Sequence, residues 1–159
     1  MPMYATKPSP QLSVIIPYYN TGKIFQETLD CLQTFQEPTI EIIVIDDGSE
    51  PKHAAYLRQL QQERQDFKLL QQPNSGPSVA RHTGILHAKG TYILPLDADD
   101  CISEDYLRLA VAAFQKNPKL KLVYCQAEKF GAKKGPWKLP DFSLDKLAVE
   151  NMIFSLSGL

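Results

Sequence analysis

The chain is predicted to adopt an α/β fold, a mostly parallel sheet with helices on both faces. Two observations carry that expectation. Short apolar runs alternate with helical patterns between residues 12 and 126, which is the rhythm of βαβ units. Two of the runs, 42–45 and 92–96, are continuously apolar, as strands buried on both faces are, and each ends in carboxylates. In open α/β sheets, ligands bind outside the carboxyl ends of strands, where the strand order reverses. Five carboxylates, Asp46, Asp47, Asp97, Asp99 and Asp100, would repel one another there unless a cation joined them. That points to a divalent metal with an anionic ligand.

The elements follow in order. Residues 1–10 contain three prolines and form a loose lead-in. The first strand is 12–17, ending in the loop Tyr18-Tyr19-Asn20-Thr21-Gly22. A helix over 23–36 has Ile24, Leu29, Leu32 and Phe35 on one stripe, and Glu37-Pro38-Thr39 breaks it. The second strand, 40–45, runs into Asp46-Asp47-Gly48-Ser49, and Pro51 opens a second helix to residue 65. After a short strand at 67–71, the string Pro73-Asn74-Ser75-Gly76-Pro77 forms a turn. A third helix over 78–88 stops at Lys89-Gly90. The strand 91–96 carries Asp97-Ala98-Asp99-Asp100. Ser103 begins a helix that Asn117-Pro118 ends, and 120–126 is the next strand. From residue 128 the pattern weakens into a loop over 130–140 and an amphipathic helix over 144–154. The end at Leu159 interrupts an apolar segment, so the chain reads as C-terminally incomplete, with apolar surface at 152–156 that favours self-association. The expected organisation is a lead-in (1–10), an α/β binding domain (11–127) and a further region (128–159).

A formal charge of −1 and the lack of a long basic block exclude the electrostatic footprint of a nucleic-acid binder. No apolar run has membrane-span length, and no signal-peptide core opens the chain. Cys31, Cys101 and Cys125 are odd in number and far apart, which argues for ordinary thiols of a reducing compartment rather than a disulfide framework or a zinc site.

The acidic clusters each have a structural and a chemical reading. Asp97-Ala98-Asp99 is a solvated turn before a helix, or a pair of hard oxygen donors suited to magnesium or manganese. Asp46-Asp47-Gly48-Ser49 is a tight turn with a helix cap, or a site where a carboxylate accepts the ring N–H of a nucleobase and Gly48 permits close approach. Arg81, near the start of the third helix behind Asn74 and Gly76, is a surface ion-pair partner or an anion holder. His53 and His87 read as surface or packing residues, and His82 has a minor claim on the site. Trp137 closes a hydrophobic edge or stacks on a sugar, while Lys129, Lys133, Lys134 and Lys138 form a solvated cluster or touch an acidic lipid. An apolar strand ending in paired Asp also occurs in receiver-type signalling modules, but there the pair ends the first strand. A phosphatase of the Asp-x-Asp-x-Thr/Val type is disfavoured by Cys101.

Four segments taken together, Ser13-Val14-Ile15-Ile16-Pro17-Tyr18-Tyr19-Asn20, Ile45-Asp46-Asp47-Gly48-Ser49, Asn74-Ser75-Gly76-Pro77-Ser78-Val79-Ala80-Arg81-His82 and Asp97-Ala98-Asp99-Asp100, resemble the ordered signature of family 2 glycosyltransferases. Each is weak alone; their order and spacing over residues 12–115 are specific. The resemblance implies a Rossmann-like GT-A fold and a nucleotide-diphosphate sugar, most often a UDP-sugar, as donor. It implies that Pro17, Tyr18 and Asn20 with Asp47 and Gly48 form the nucleobase pocket, supported by Asp46. Asn74, Gly76 and Arg81 would lie beside the nucleoside or diphosphate, and Asp97 and Ala98 beside the ribose and donor sugar. Asp99, with Asp97, would hold Mn2+ or Mg2+. Transfer would be inverting, to a sugar, lipid-linked or protein acceptor, with a general base beyond residue 159. The expected location is the cytoplasm, at most peripheral to the inner face of the membrane. A non-catalytic nucleotide-sugar-binding module is the alternative.

Overall fold

The computed structural model describes residues 9–33, 35, 38–131, 134–137, 143 and 145. The chain runs β1 (Leu12–Tyr18), a 3₁₀ turn (Gly22–Ile24), α1 (Phe25–Gln33), β2 (Ile40–Asp47), α2 (Pro51–Arg64), β3 (Lys68–Gln72), α3 (Pro77–Leu86), β4 (Tyr92–Pro95) and α4 (Glu104–Lys116), then β5 (Ala127–Lys129) and β6 (Gly135–Trp137). The first four strands form one parallel sheet in the order β3-β2-β1-β4. This is the expected α/β fold with a parallel sheet covered on both faces.

The strand order explains where the helices lie. From β1 the chain steps outward through β2 to β3, then returns across the sheet to β4 on the other side of β1. Right-handed crossovers place helices of opposite stepping direction on opposite faces. Accordingly, Leu29 and Leu32 of α1, Leu57 and Leu60 of α2 and Leu107 and Phe114 of α4 share one core with Leu12, Val14 and Ile16. Ala80 of α3 packs on the other face against Ile15, Ile43 and Ile45. Contact there is close enough to require Gly84, because a Cβ at that position would collide with Ile15 and lie 2.7 Å from Ile45 Cδ1.

The reversal puts a switch point between β1 and β4, and Pro17 opens it. Tyr92 N–H donates to Gln11 O and Leu96 N–H to Ile15 O, so residue 11, just before β1, and residues 13 and 15 within it face β4. Pro17 is next in that series and has no N–H to continue the ladder. The β1–β4 pairing ends at Ile15 and Pro95, and the residues after Leu96 turn away from β1.

Several expectations are corrected. Residues 120–126 form no strand. Leu120, Val123 and Cys125 pack on the core, but the segment joins no ladder and is held instead by Tyr106, whose hydroxyl donates to Val123 O at 3.1 Å. The loop expected over 130–140 contains β6, which pairs antiparallel with β5. The first helix is shorter than 23–36 and begins as a 3₁₀ turn. Cys31 and Cys101 are not free thiols; they form a disulfide with Cα atoms 5.9 Å apart, because α1 runs beside the loop after β4. Cys125 is a free, half-buried thiol. The helix expected over 144–154 except for residue 145, the apolar segment 152–156, Lys133, Lys138 and residues 1–8 of the lead-in lie outside the described residues. No described helix is long and apolar enough to cross a membrane.

Candidate functional site

Two carboxylates end β2, and burial dictates what they do. Asp46 and Asp47 are each only 3% exposed, and a buried carboxylate is retained only with several hydrogen-bond donors around it. Asp46 accepts from Ser49 N at 3.0 Å and from Gln71 Nε2 at 3.2 Å, which closes the turn into α2. Asp47 reaches across to the loop before α3. It accepts from Ser75 N and Gly76 N, both at 2.9 Å, and from Gln72 Nε2 at 2.7 Å. Gly48 has φ +73°, and a Cβ there would stand 2.6 Å from Asn74 N. The turn 46–49 and the loop 73–76 are therefore locked face to face.

The loop after β1 is fastened to the same turn. Asn20, at φ 54°, receives Glu50 N on its Oδ1 at 2.8 Å, while its own N–H donates to Ser49 Oγ at 3.1 Å. Tyr18 turns its ring into the core edge-on to Phe25, and its hydroxyl accepts from Gly22 N at 3.0 Å. Burial raises the Tyr18 phenol above its ordinary pKa, so the ring braces the loop as a neutral group. Tyr19, next in the strand direction, faces outward and is 52% exposed.

The opposite wall comes from β4 and α3. Arg81 pairs with Asp97, Nη2 to Oδ1, at 2.5 Å. Its Nε–H is buried with no hydrogen-bond partner, a donor whose desolvation an anionic ligand would offset. The loop carrying Asp97-Ala98-Asp99 is tied to α1 twice, by Thr28 Oγ1 donating to Ala98 O at 3.1 Å and by the Cys31–Cys101 disulfide. Asp99 is exposed. Burial, with the Asp99 and Asp97 charges adding to it, pushes Asp100 up to about 6.

These walls enclose an open cleft of about 660 Å³ at the switch point. The sequence-predicted residues Pro17, Tyr18, Asp47, Asn74, Gly76, Arg81, Asp97, Ala98 and Asp99 all line it. Asn20, Asp46 and Gly48 do not line it; they hold its loops together. Tyr19, Thr21, Ile24 and Pro77 also line it and were missed. For Tyr19 a signal existed, since two consecutive aromatics at a strand end must point to opposite sides. Thr28 was also missed, and its position mid-helix carries no such signal. His82 is exposed and not part of the lining. The end of β1 carries no carboxylate, which removes the receiver-type arrangement.

Among the described residues, no three His, Cys, Asp or Glu side chains converge as a metal cage. The donor set nevertheless fits magnesium or manganese held chiefly by a ligand's own phosphates, which needs only one or two protein carboxylates. Asp99 is the exposed carboxylate for that task, while Asp97 is engaged by Arg81.

Residues 13–156 match the family described as Glycosyl transferase family 2. Over 90 residues the chain is 41% identical to the uncharacterized glycosyltransferase YibD of Escherichia coli, covering 57% of this chain and 26% of that protein. Among solved structures, it is similar to residues 1–349 of TarS from S. aureus in complex with UDP-GlcNAc, with TM-score 0.68 and 26% identity over 80% of this chain and 37% of that one. It is also similar to the mannosyltransferase PcManGT from Pyrobaculum calidifontis in complex with GDP-Man and Mn2+, with TM-score 0.66 and 26% identity over 77% and 36%. The chain thus spans about a quarter to two fifths of the length of these relatives.

Proposed function

This chain belongs to glycosyl transferase family 2, and from that membership we propose that it forms the donor-binding part of a metal-dependent, inverting transferase using a nucleotide-diphosphate sugar, with UDP as the nucleotide. The observation that carries this reading is the single cleft in which Arg81 and the carboxylates Asp97 and Asp99 face the loops at 17–19 and 73–76. A ligand with a flat polar base at one end and a diphosphate at the other matches that division.

The base lies between the loop after β1, with Tyr19 exposed beside it, and the loop 74–76. Asp47 Oδ2 accepts one protein hydrogen bond, so a lone pair remains for a base N–H. Ribose and donor sugar pass Asp97 and Ala98. The diphosphate meets Arg81 and the start of α3, whose N-cap Gly76 supplies no side-chain cap, which leaves first-turn amides for an anion. Asp99 would hold a divalent ion, which would supply charge neutralisation for the leaving diphosphate. Arg81 contributes a fixed cationic donor to the same end without reorganising, since Asp97 already orients its guanidinium. An acceptor hydroxyl then attacks the anomeric carbon from the opposite face, losing its proton to a general base. PcManGT is known in complex with Mn2+ and TarS in complex with UDP-GlcNAc, which supports both the metal and the donor class.

Isothermal titration with UDP, GDP, UDP-GlcNAc and GDP-Man, each with and without manganese, tests the reading. The expected result is saturable binding of UDP and a UDP-sugar, tightened at least tenfold by manganese. Absence of binding to every nucleotide would overturn it.

A further inference from the structure

A second cavity of about 620 Å³ opens on the far side of Asp99, and its lining differs in character from the first. The two cavities share Ile24 and Asp99, so they meet at the metal-side end of the cleft. Two aromatic residues face the second cavity, Phe130 and Trp137, 53% and 43% exposed, and neither belongs to the hydrophobic core. The β5–β6 hairpin presents both. The Lys129 ammonium lies 4.8 Å from the centre of the indole and covers part of its surface, and both rings line the cavity. Among the described residues lining it are four carboxylates, Glu27, Asp99, Asp100 and Glu128, and the ammonium of Lys129.

Resting on the donor reading above for the position of the reacting carbon, we propose that this groove holds a neutral saccharide as acceptor and rejects anionic ones. A pyranose presents a patch of polarised C–H groups on one face, which packs on the electron-rich face of an aromatic ring. Its hydroxyls are donors, and carboxylates are acceptors only, so charge-assisted hydrogen bonds form without proton transfer. An acceptor bearing a uronate or phosphate near the reacting hydroxyl meets four like charges instead, and like charges brought together oppose binding. Filling the donor cleft does not change the sign, because a divalent ion and a nucleotide-sugar diphosphate nearly cancel.

Trp137 is the single tryptophan of the chain, so its emission reports on this groove directly. The 159-residue chain is titrated with neutral tetrasaccharides of glucose, N-acetylglucosamine, galactose and mannose, with a hyaluronan tetrasaccharide, and with phosphatidylglycerol vesicles. A saturable change with at least one neutral tetrasaccharide is expected, at least tenfold tighter than with hyaluronan. Phe130→Ala should weaken neutral binding at least fivefold. Glu27→Gln with Glu128→Gln should narrow the neutral-over-anionic preference several-fold. No response to any neutral sugar, or preference for hyaluronan or the vesicles, would overturn the proposal. Calorimetric binding of UDP on the same samples separates the two readings. UDP binding without saccharide binding sinks this inference alone, whereas saccharide binding without UDP binding sinks the donor reading.

Discussion

Replacing Asp47 by alanine should destabilise the fold and remove the donor cleft together, because one buried carboxylate holds two backbone N–H groups and one side-chain amide. Hydrogen bonds to a charged group contribute about 1.5–3 kcal/mol each, and a donor left unpaired in a dry site costs about 1–3 kcal/mol. Ser75 is exposed and Gly76 and Gln72 are half-buried, so water re-satisfies part of what is lost. Three bonds at the low end of that range, less this compensation, give a loss of about 3 kcal/mol. For a domain of this size that lowers Tm by about 6–12 °C. Thermal unfolding followed by circular dichroism, alongside UDP titration in EDTA, checks both effects. If Asp47→Ala kept the wild-type Tm while UDP binding vanished, the carboxylate would act only on the base and its scaffolding role would be wrong. Normal UDP binding with a lowered Tm would refute the assignment of the cleft between these loops.

Three further outcomes are expected. Asp99→Asn should abolish the manganese-dependent part of UDP affinity while leaving the unfolding free energy within about 0.5 kcal/mol, since an exposed side chain leaves no cavity; equal titrations with and without the substitution would remove Asp99 as ligand. Reduction of Cys31–Cys101, or their joint replacement by serine, frees a 70-residue loop and should cost about 4 kcal/mol by the chain-entropy estimate; urea unfolding with and without dithiothreitol measures it. Gly84→Ala should be destabilising despite removing a helical glycine, because overpacking against Ile15 and Ile45 costs about 1–3 kcal/mol while the helix-propensity gain is about 1 kcal/mol; a raised urea midpoint would contradict the close α3–sheet contact.

Local pattern located most of the cleft because its parts sit at strand ends, and strand ends are visible in sequence. The apolar runs before Asp46 and before Asp97 required no tertiary information, and both end at the switch point. Roles were harder to read than places. Asn20 and Asp47 have the polar chemistry of ligand contacts, yet Asn20 is consumed by Glu50 and Ser49, and Asp47 is largely occupied by the loop it holds. A side chain's spare hydrogen-bonding capacity depends on which donors the fold brings to it, and those donors lie 25–30 residues away. The segment 120–126 shows the converse failure: its apolar residues pack on the core, but a strand also needs a partner with free backbone groups.

By itself the sequence determined the order of strands and helices from β1 to α4, the delivery of carboxylates to two strand ends and the glycine of the tight turn at Gly48. These are consequences of periodicity and of local sterics, which act over a few residues. Only the tertiary structure decided that α3, alone of the described helices, packs on its face of the sheet, that Arg81 meets Asp97, that Thr28 and Cys31 fasten the loop at Ala98 and Cys101, and that a second aromatic groove adjoins Asp99. Each of these joins residues 16 or more positions apart. Their meeting depends on the sense of the βαβ crossovers and on Pro17 ending the β1–β4 ladder, and chain geometry of that kind is set when the whole sheet closes on its core.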